Sequence, residues 1–167
     1  EKDYFLLLQF LNKLSKKYNF KILIALKSRN KFEINYRLQN FKKSLSDANY
    51  IINNRSKDLH SSFNTILKSD MVIGCDSSML NQAFLLNKKT IMFLNNANNK
   101  SIFFGNDFAK INSNDYKVFE KNFFKIKNTK FNDYLVFSNL KKYKNFFDKF
   151  NFLDFKKKIN KTIIDEK

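Results

Sequence analysis

The residues best suited to chemistry are three polar side chains, Asp76, Ser77 and Ser78, which closely follow Gly74. An apolar run precedes them and apolar residues at helical spacing follow, so the pattern predicts that they stand at the start of a helix. Aspartate and serine are favoured N-cap residues, and the free amides of a helix start attract anions, typically phosphate. The pattern therefore predicts an anion site at this turn.

A well-capped helix that binds nothing would contain the same three residues, and most capped helices bind nothing. Gly74 favours a ligand, because this chain has only two glycines and a missing Cβ lets the backbone bend sharply or lets a ligand approach. In open parallel sheets, ligands bind beyond the carboxyl ends of the strands, and the predicted turn lies at such an end. Both interpretations are compatible with the residues alone.

The surrounding pattern is strand, tight turn, helix, strand, which is typical of a parallel βαβ crossover. Helices and strands also alternate on its N-terminal side. The predicted helices cover residues 3–18, 35–45 and 58–68, the predicted strands 20–26 and 50–52, and an edge strand is predicted at 116–119. From residue 120 onward the pattern is helical and aromatic. The fold class predicted is α/β and Rossmann-like, a mostly parallel sheet with helices on both faces and a C-terminal helical segment.

The segment KSDMVIGCDSSMLNQAFLLNKKTIMF, residues 68–93, resembles the donor-binding half of GT-B glycosyltransferases. The similarity is greatest to bacterial transferases of surface-carbohydrate and lipopolysaccharide biosynthesis. Their pattern runs from alanine-aspartate through an apolar strand to a glycine, a hydroxyl pair, glutamate-alanine and glycine-lysine-proline. The corresponding positions here are Ser69-Asp70, Gly74, Ser77-Ser78, Gln82-Ala83 and Asn87-Lys88-Lys89.

The resemblance implies a set of donor-binding residues: Lys27, Arg29, Gly74, Asp76, Ser77, Ser78 and Gln82. In the family, a basic residue after the first strand often contacts the donor phosphates, which makes Lys27 and Arg29 candidates, although a solvated loop explains them equally well. Gln82 replaces a glutamate that usually holds the donor ribose; it can hydrogen-bond but carries no charge. The implied ligand is a nucleotide-sugar substrate rather than a permanently bound cofactor.

The resemblance also suggests contacts to the nucleotide base from Asn53, Asn54 and Arg55, which follow the predicted strand 50–52. No catalytic residue is predicted. His60 titrates near neutrality and suits a general base, but a lone histidine on a helix is more often structural. In two-domain transferases of this kind the base generally comes from the other domain.

The length of 167 residues suits one domain of such an enzyme. We expect a nucleotide-sugar-binding domain at 1–119 with helices at 120–167 packing on it, the whole being part of a longer two-domain enzyme and inactive without its N-terminal domain. Cys75 is the only cysteine, so an internal disulfide is excluded and a reducing, cytoplasmic compartment is expected. One cysteine and one histidine do not favour zinc, and no apolar run is long enough to span a membrane.

The formal charge of +17 comes mainly from lysine, since only Arg29, Arg37 and Arg55 are arginines. Lysine, asparagine, phenylalanine and isoleucine have AT-rich codons, so the genome of a low-GC bacterium would produce this bias without selection for a polyanion. Arginine is the usual residue for bidentate phosphate and base recognition, so nucleic acid is not the favoured partner. The charge still attracts anionic lipids, acceptors and nucleotides.

The expected function is transfer of a sugar from a nucleotide-activated donor to a cell-surface polysaccharide or lipopolysaccharide precursor. The expected partners are the nucleotide-sugar, a glycan or lipid-linked acceptor and the N-terminal domain. Alternatives are a nucleotide-sugar epimerase or polyol-phosphate transferase of the same fold, and a non-catalytic basic module that binds a membrane or polyanion. The C-terminal aromatics would contact the inner membrane face peripherally or dock on the N-terminal domain, or else belong to the core, which we favour.

Overall fold

The computed structural model describes residues 2–25, 31–46, 48–53, 61–75, 77–94, 103 and 105–149. Helices and strands alternate along most of this part of the chain. The helices are α1 (Lys2–Tyr18), α2 (Lys31–Ser44), α3 (Ser61–Leu67), α4 (Ser78–Leu85), α5 (Tyr116–Asn128), α6 (Phe131–Phe137) and α7 (Lys141–Lys149). The strands are β1 (Lys21–Ala25), β2 (Asn49–Asn53), β3 (Met71–Cys75), β4 (Lys89–Leu94) and β5 (Lys110–Asn112).

The described strands are all parallel and form two small sheets. One sheet pairs β1 with β2, and the other has the order β3-β4-β5. Within the described strands, no hydrogen-bonded ladder joins β1 to β3. Helices cover both sides of the strands, so the predicted α/β, Rossmann-like fold class is confirmed.

Helix α1 holds the two sheets together. Its Leu8 packs with Ile24 of β1 and Phe41 of α2, whereas Phe10 and Leu14 belong to the core around β3, β4 and β5. Residues spaced at i, i+2 and i+6 reach two different cores because the apolar stripe of α1 is wide. On the opposite side of β3, helices α3 and α4 form a smaller apolar cluster.

Asparagine occupies the left-handed position after three of the described helices, where glycine is the usual residue. Asn87 has a φ of 62° directly after the C-cap of α4. Its amide donates to the Phe84 carbonyl at 3.1 Å, and the Lys88 amide donates to the Ala83 carbonyl at 3.0 Å. This pair of bonds is the Schellman motif, whose left-handed position is usually occupied by glycine. Asn19 after α1 and Asn139 after α6 also have a positive φ, of 55° and 59°.

Two details of the predicted sheet are wrong. Residues 116–119 form the first turn of α5 rather than an edge strand, because the Asp115 carboxylate caps the helix by accepting from the Lys117 amide at 2.7 Å. The edge strand is instead the three-residue β5. The continuous apolar run at 22–25 also predicts a buried strand, but only Ile24 of β1 is buried. Among the described strands, β1 pairs with β2 alone.

The C-terminal aromatic residues that the structure describes are mostly core residues, as favoured from the sequence. Phe119, Phe123 and Tyr134 lie in the same apolar core as Phe10 and Phe93. Phe137 is exposed on α6. The expected domain boundary between residues 119 and 120 lies within α5. Helix α5 packs against α1 and β4 through the contacts of Phe119 with Phe10 and Phe93.

Candidate functional site at the carboxyl end of strand β3

The turn between β3 and α4 has the predicted geometry of a helix start beyond a parallel strand. Ser77 is the N-cap of α4, with extended backbone angles, and its Oγ accepts a hydrogen bond from the Met79 amide at 3.3 Å. Its carbonyl accepts from the Leu80 amide at 3.0 Å. A serine hydroxyl that accepts in this way still has its own proton to donate.

Ser78 and Gln82 lie one helical turn apart on α4, so their side chains share one face. Ser78 is exposed and Gln82 is half-buried. With Ser77 they form a short polar strip at the amino end of α4, where the helix dipole favours a negative charge. We call Ser77, Ser78 and Gln82 the polar strip of α4.

Gly74 is not required by the backbone conformation. Its φ is not in the left-handed region, and a Cβ built there would meet Leu80 Cδ2 at 3.7 Å, an ordinary van der Waals distance. In contrast, a Cβ at Gly105 would lie 2.5 Å from Phe103 Cε1. Close packing therefore explains Gly105, whereas nothing in the described contacts forces glycine at position 74.

The amino end of α1 reaches the carboxyl end of β3, a proximity that sequence reasoning missed. Burial raises the pKa of the Cys75 thiol to about 12, with a further contribution from the Asp3 carboxylate, so this thiol is neutral at ordinary pH. Burial raises the pKa of Tyr4 as well, and the positive charge of Arg37 on α2 partly opposes it. Arg37 is therefore the described arginine that lies in this region.

Several predicted residues lie outside the described residues: Lys27, Arg29, Asn54, Arg55, His60 and Asp76. Asn53 is described, and its side-chain amide donates to Thr65 Oγ1 at 2.8 Å. That bond joins the end of β2 to α3. Of the seven predicted donor-binding residues, the structure describes four: Gly74 at the end of β3, Ser77 and Ser78 at the start of α4, and Gln82 one helical turn further along α4.

Two cavities lie elsewhere on the described surface. One, of about 560 Å³, lies between α1 and α2 and is lined in part by Phe5, Asn12 and Lys43. The other, of about 600 Å³, lies at the amino ends of β1 and β3. Neither is lined by Gly74 or by the polar strip of α4.

Within the described ranges, no three histidine, cysteine, aspartate or glutamate side chains are grouped so that they could hold a metal ion. The helices in the same ranges are too short or too polar to cross a membrane. The functional groups that the structure describes at the turn are hydroxyls, an amide, the Cys75 thiol and helix-terminal N–H groups.

The fold and the turn together define a Rossmann-like α/β half-domain with a polar helix start at the carboxyl end of strand β3. Comparison of the chain with protein-family models, with curated proteins and with solved structures finds no match.

Proposed function

We propose that this chain is the donor-binding half of a glycosyltransferase that moves a sugar from a nucleotide-activated donor to a cell-surface polysaccharide or lipopolysaccharide precursor. One observation carries the proposal: the polar strip of α4 begins directly beyond the carboxyl end of β3, between two parallel strands. In open parallel sheets this is the usual position of a nucleotide ligand.

The hydroxyls of Ser77 and Ser78 would hold the diphosphate of the donor. Each can donate a hydrogen bond to a phosphate oxygen, and the start of α4 adds the positive end of its dipole. The positive charge of Arg37 acts on Tyr4, which lies near Cys75 at the end of β3, and it would also attract the diphosphate. Preorganised donors of this kind stabilise the negative charge that develops on the leaving nucleotide as the sugar is transferred.

The resemblance to GT-B transferases gains support from Asn87. This residue occupies the place where the family pattern has glycine, and it has the positive φ that glycine adopts most easily. Gln82, at the place of the family's glutamate, lies on the same helix face as Ser78 and would donate to or accept from a ribose hydroxyl. A second, N-terminal domain would bind the acceptor and supply the catalytic base.

The test is the melting temperature of the purified chain with UDP, GDP, CDP, CMP and their sugar conjugates at moderate salt. A ligand that binds only the folded state at a hundredfold excess over its Kd stabilises it by about 2.7 kcal/mol. We expect a shift with one nucleotide and its sugar conjugate. A blank panel with the chain and with the two-domain protein would overturn the proposal.

Two substitutions separate the helix cap from the ligand site. Ser77→Asp keeps a good N-cap but adds a negative charge, so we expect unchanged stability without ligand and a lost nucleotide shift. Ser77→Thr keeps both the cap and the hydroxyl and should retain the shift. A matched control is the double variant Ser44→Ala/Ser46→Ala at the end of α2, which should respond like the original chain.

A non-catalytic basic module is the second candidate, and the charge of +17 favours it. Such a module would bind any anionic surface without preferring a nucleotide, and its binding would weaken steeply with salt. Titration with anionic vesicles at low and moderate salt distinguishes the two. Nucleotide-selective stabilisation that survives moderate salt would exclude the module.

A further inference from the structure

The cavity at the amino ends of β1 and β3 has an apolar floor. Helix α1 contributes Leu11 and Leu14, the strands contribute Ile22, Leu23, Met71 and Ile73, and Phe20 and Phe123 close the floor. None of these side chains has a hydrogen-bonding group. The volume of about 600 Å³ lies within the usual range for small-molecule sites. The floor suits an alkyl chain and offers a nucleobase no strong side-chain hydrogen bond.

The rim of the same cavity is strongly basic. Four lysines line it, and Asp70 is the one acid among the described lining residues; the lysines are Lys21, Lys68, Lys89 and Lys127. They come from the start of β1, the segment before β3, the start of β4 and the end of α5. Because these segments are distant in sequence, the cluster exists only in the folded chain.

Two of these lysines lie particularly close together. Lys89 Nζ donates a short hydrogen bond to the Lys127 carbonyl in the last turn of α5, and Lys127 Nζ lies 5.7 Å from the centre of the Phe20 ring. Burial lowers the pKa of Lys89, and the charge of Lys127 lowers it further. An anion between them would offset this repulsion, and its opposite charge would compensate for the partial desolvation of the Lys89 ammonium.

We propose that this cavity binds an anionic amphiphile, with its alkyl chain on the apolar floor and its phosphate or carboxylate at the lysine rim. Charge complementarity and the apolar floor carry the assignment together. The site is separate from the polar strip of α4, since β3 contributes Met71 and Ile73 to the cavity, whereas Ser77, Ser78 and Gln82 follow the carboxyl end of β3 and do not line it. It therefore does not depend on the glycosyltransferase proposal.

The experiment is isothermal titration of the full chain with dodecyl phosphate below its micelle concentration. Dodecyl maltoside and dodecyltrimethylammonium are the neutral and cationic comparisons with the same chain, and inorganic phosphate tests the head group alone. We expect saturable binding of one dodecyl phosphate, about tenfold tighter or more than the other three. The maltoside and trimethylammonium head groups lose the charge contacts to the lysine rim, and inorganic phosphate loses the apolar contacts of the alkyl chain. Equal affinity for the anionic, neutral and cationic amphiphiles would overturn the proposal.

The variant Lys21→Gln/Lys68→Gln tests the rim, because both lysines are exposed and removing them leaves the core intact. We expect it to weaken dodecyl phosphate binding about tenfold. Lys117→Gln/Lys121→Gln on the first half of α5 makes the same charge change away from the cavity and should leave the affinity unchanged. Equal weakening by both pairs would show a general charge effect and refute the site.

Amide chemical shifts locate the ligand independently. Dodecyl phosphate should shift the amides of Leu14, Leu23 and Ile73, and leave those of Ser77 and Ser78 in place; the reverse pattern would contradict the assignment. Sedimentation with vesicles containing phosphatidic acid then distinguishes the source. Cosedimentation lost in Lys21→Gln/Lys68→Gln identifies a membrane lipid, and saturable binding of dodecyl phosphate without cosedimentation identifies a free amphiphile.

Discussion

The hydroxyl of Tyr134 completes the edge of β4 where the neighbouring strand ends. Strand β5 pairs with Met92–Leu94 only, and the Ser113 amide extends this pairing to the Leu94 carbonyl. The backbone groups of Thr90 point to the same side but lie beyond the end of β5. The Thr90 amide donates to the Tyr134 hydroxyl at 3.1 Å, and that hydroxyl donates to the Thr90 carbonyl at 2.8 Å.

Replacing Tyr134 by phenylalanine removes the hydroxyl that is bonded to both the Thr90 amide and the Thr90 carbonyl. Thr90 and Tyr134 are fully buried, so water cannot reach the freed amide and carbonyl without a rearrangement. A buried polar group left without a partner costs about 1–3 kcal/mol. For the two backbone groups together we expect a loss of roughly 3 kcal/mol in the free energy of unfolding, a large share of the typical 5–15 kcal/mol.

The assay is urea unfolding followed by circular dichroism. We expect Tyr134→Phe to lower the midpoint without changing the slope, because the surface exposed on unfolding hardly changes. The melting temperature should fall by roughly 6–12 °C for a chain of this size. Tyr36→Phe is the matched control, since Tyr36 is 56% exposed on α2, and its effect should stay within about 0.5 kcal/mol.

A loss below about 1 kcal/mol would refute the reasoning, because it would mean that the two Thr90 groups find other partners. The variant Thr90→Val gives a second check. It removes only the Thr90 Oγ1 contact to the Tyr134 hydroxyl, 2.8 Å long, and leaves both backbone bonds. It should therefore cost less than Tyr134→Phe, and a greater cost would also contradict the assignment.

Two further predictions concern the α1–α5 contact and the glycines. The Glu120 carboxylate accepts from Lys17 Nζ at 3.1 Å, and chiefly this bond holds the pKa of Glu120 below its usual range. The stabilisation by the Glu120 carboxylate is therefore fully present above the unfolded pKa of about 4.3. It is lost as the pH falls through the lower pKa of the folded state. Glu120→Gln should therefore reduce the urea midpoint at pH 7 and have little effect at pH 2. Gly105→Ala should cost about 1–3 kcal/mol by overpacking against Phe103, whereas Gly74→Ala should be neutral or stabilising by up to about 1 kcal/mol.

Each of these has a contrary outcome that urea unfolding would reveal. An effect of Glu120→Gln that is the same at both pH values would mean that the carboxylate charge is not involved. Equal losses for the two glycine variants would mean that the difference in space around Gly74 and Gly105 does not govern their tolerance of a Cβ.

The sequence by itself determined the local elements and the central turn. The helix predicted at 3–18 is observed as Lys2–Tyr18, and the strand, capped helix and strand around Gly74 appear in order as β3, α4 and β4. These signals are local: apolar spacing, an N-cap serine and a turn residue act within about one turn of helix. Where two local signals competed, at 116–119, the Asp115 cap outweighed the alternating apolar residues.

Only the tertiary structure decided which distant residues meet. Tyr4 lies near both Arg37 and Cys75, and four lysines from separate elements gather around one apolar cavity. The gap between β1 and β3, and the role of α1 in spanning it, likewise have no signal in residue spacing. The physical reason is that strand pairing and helix packing bring together groups from distant elements, and no local periodicity encodes that distance.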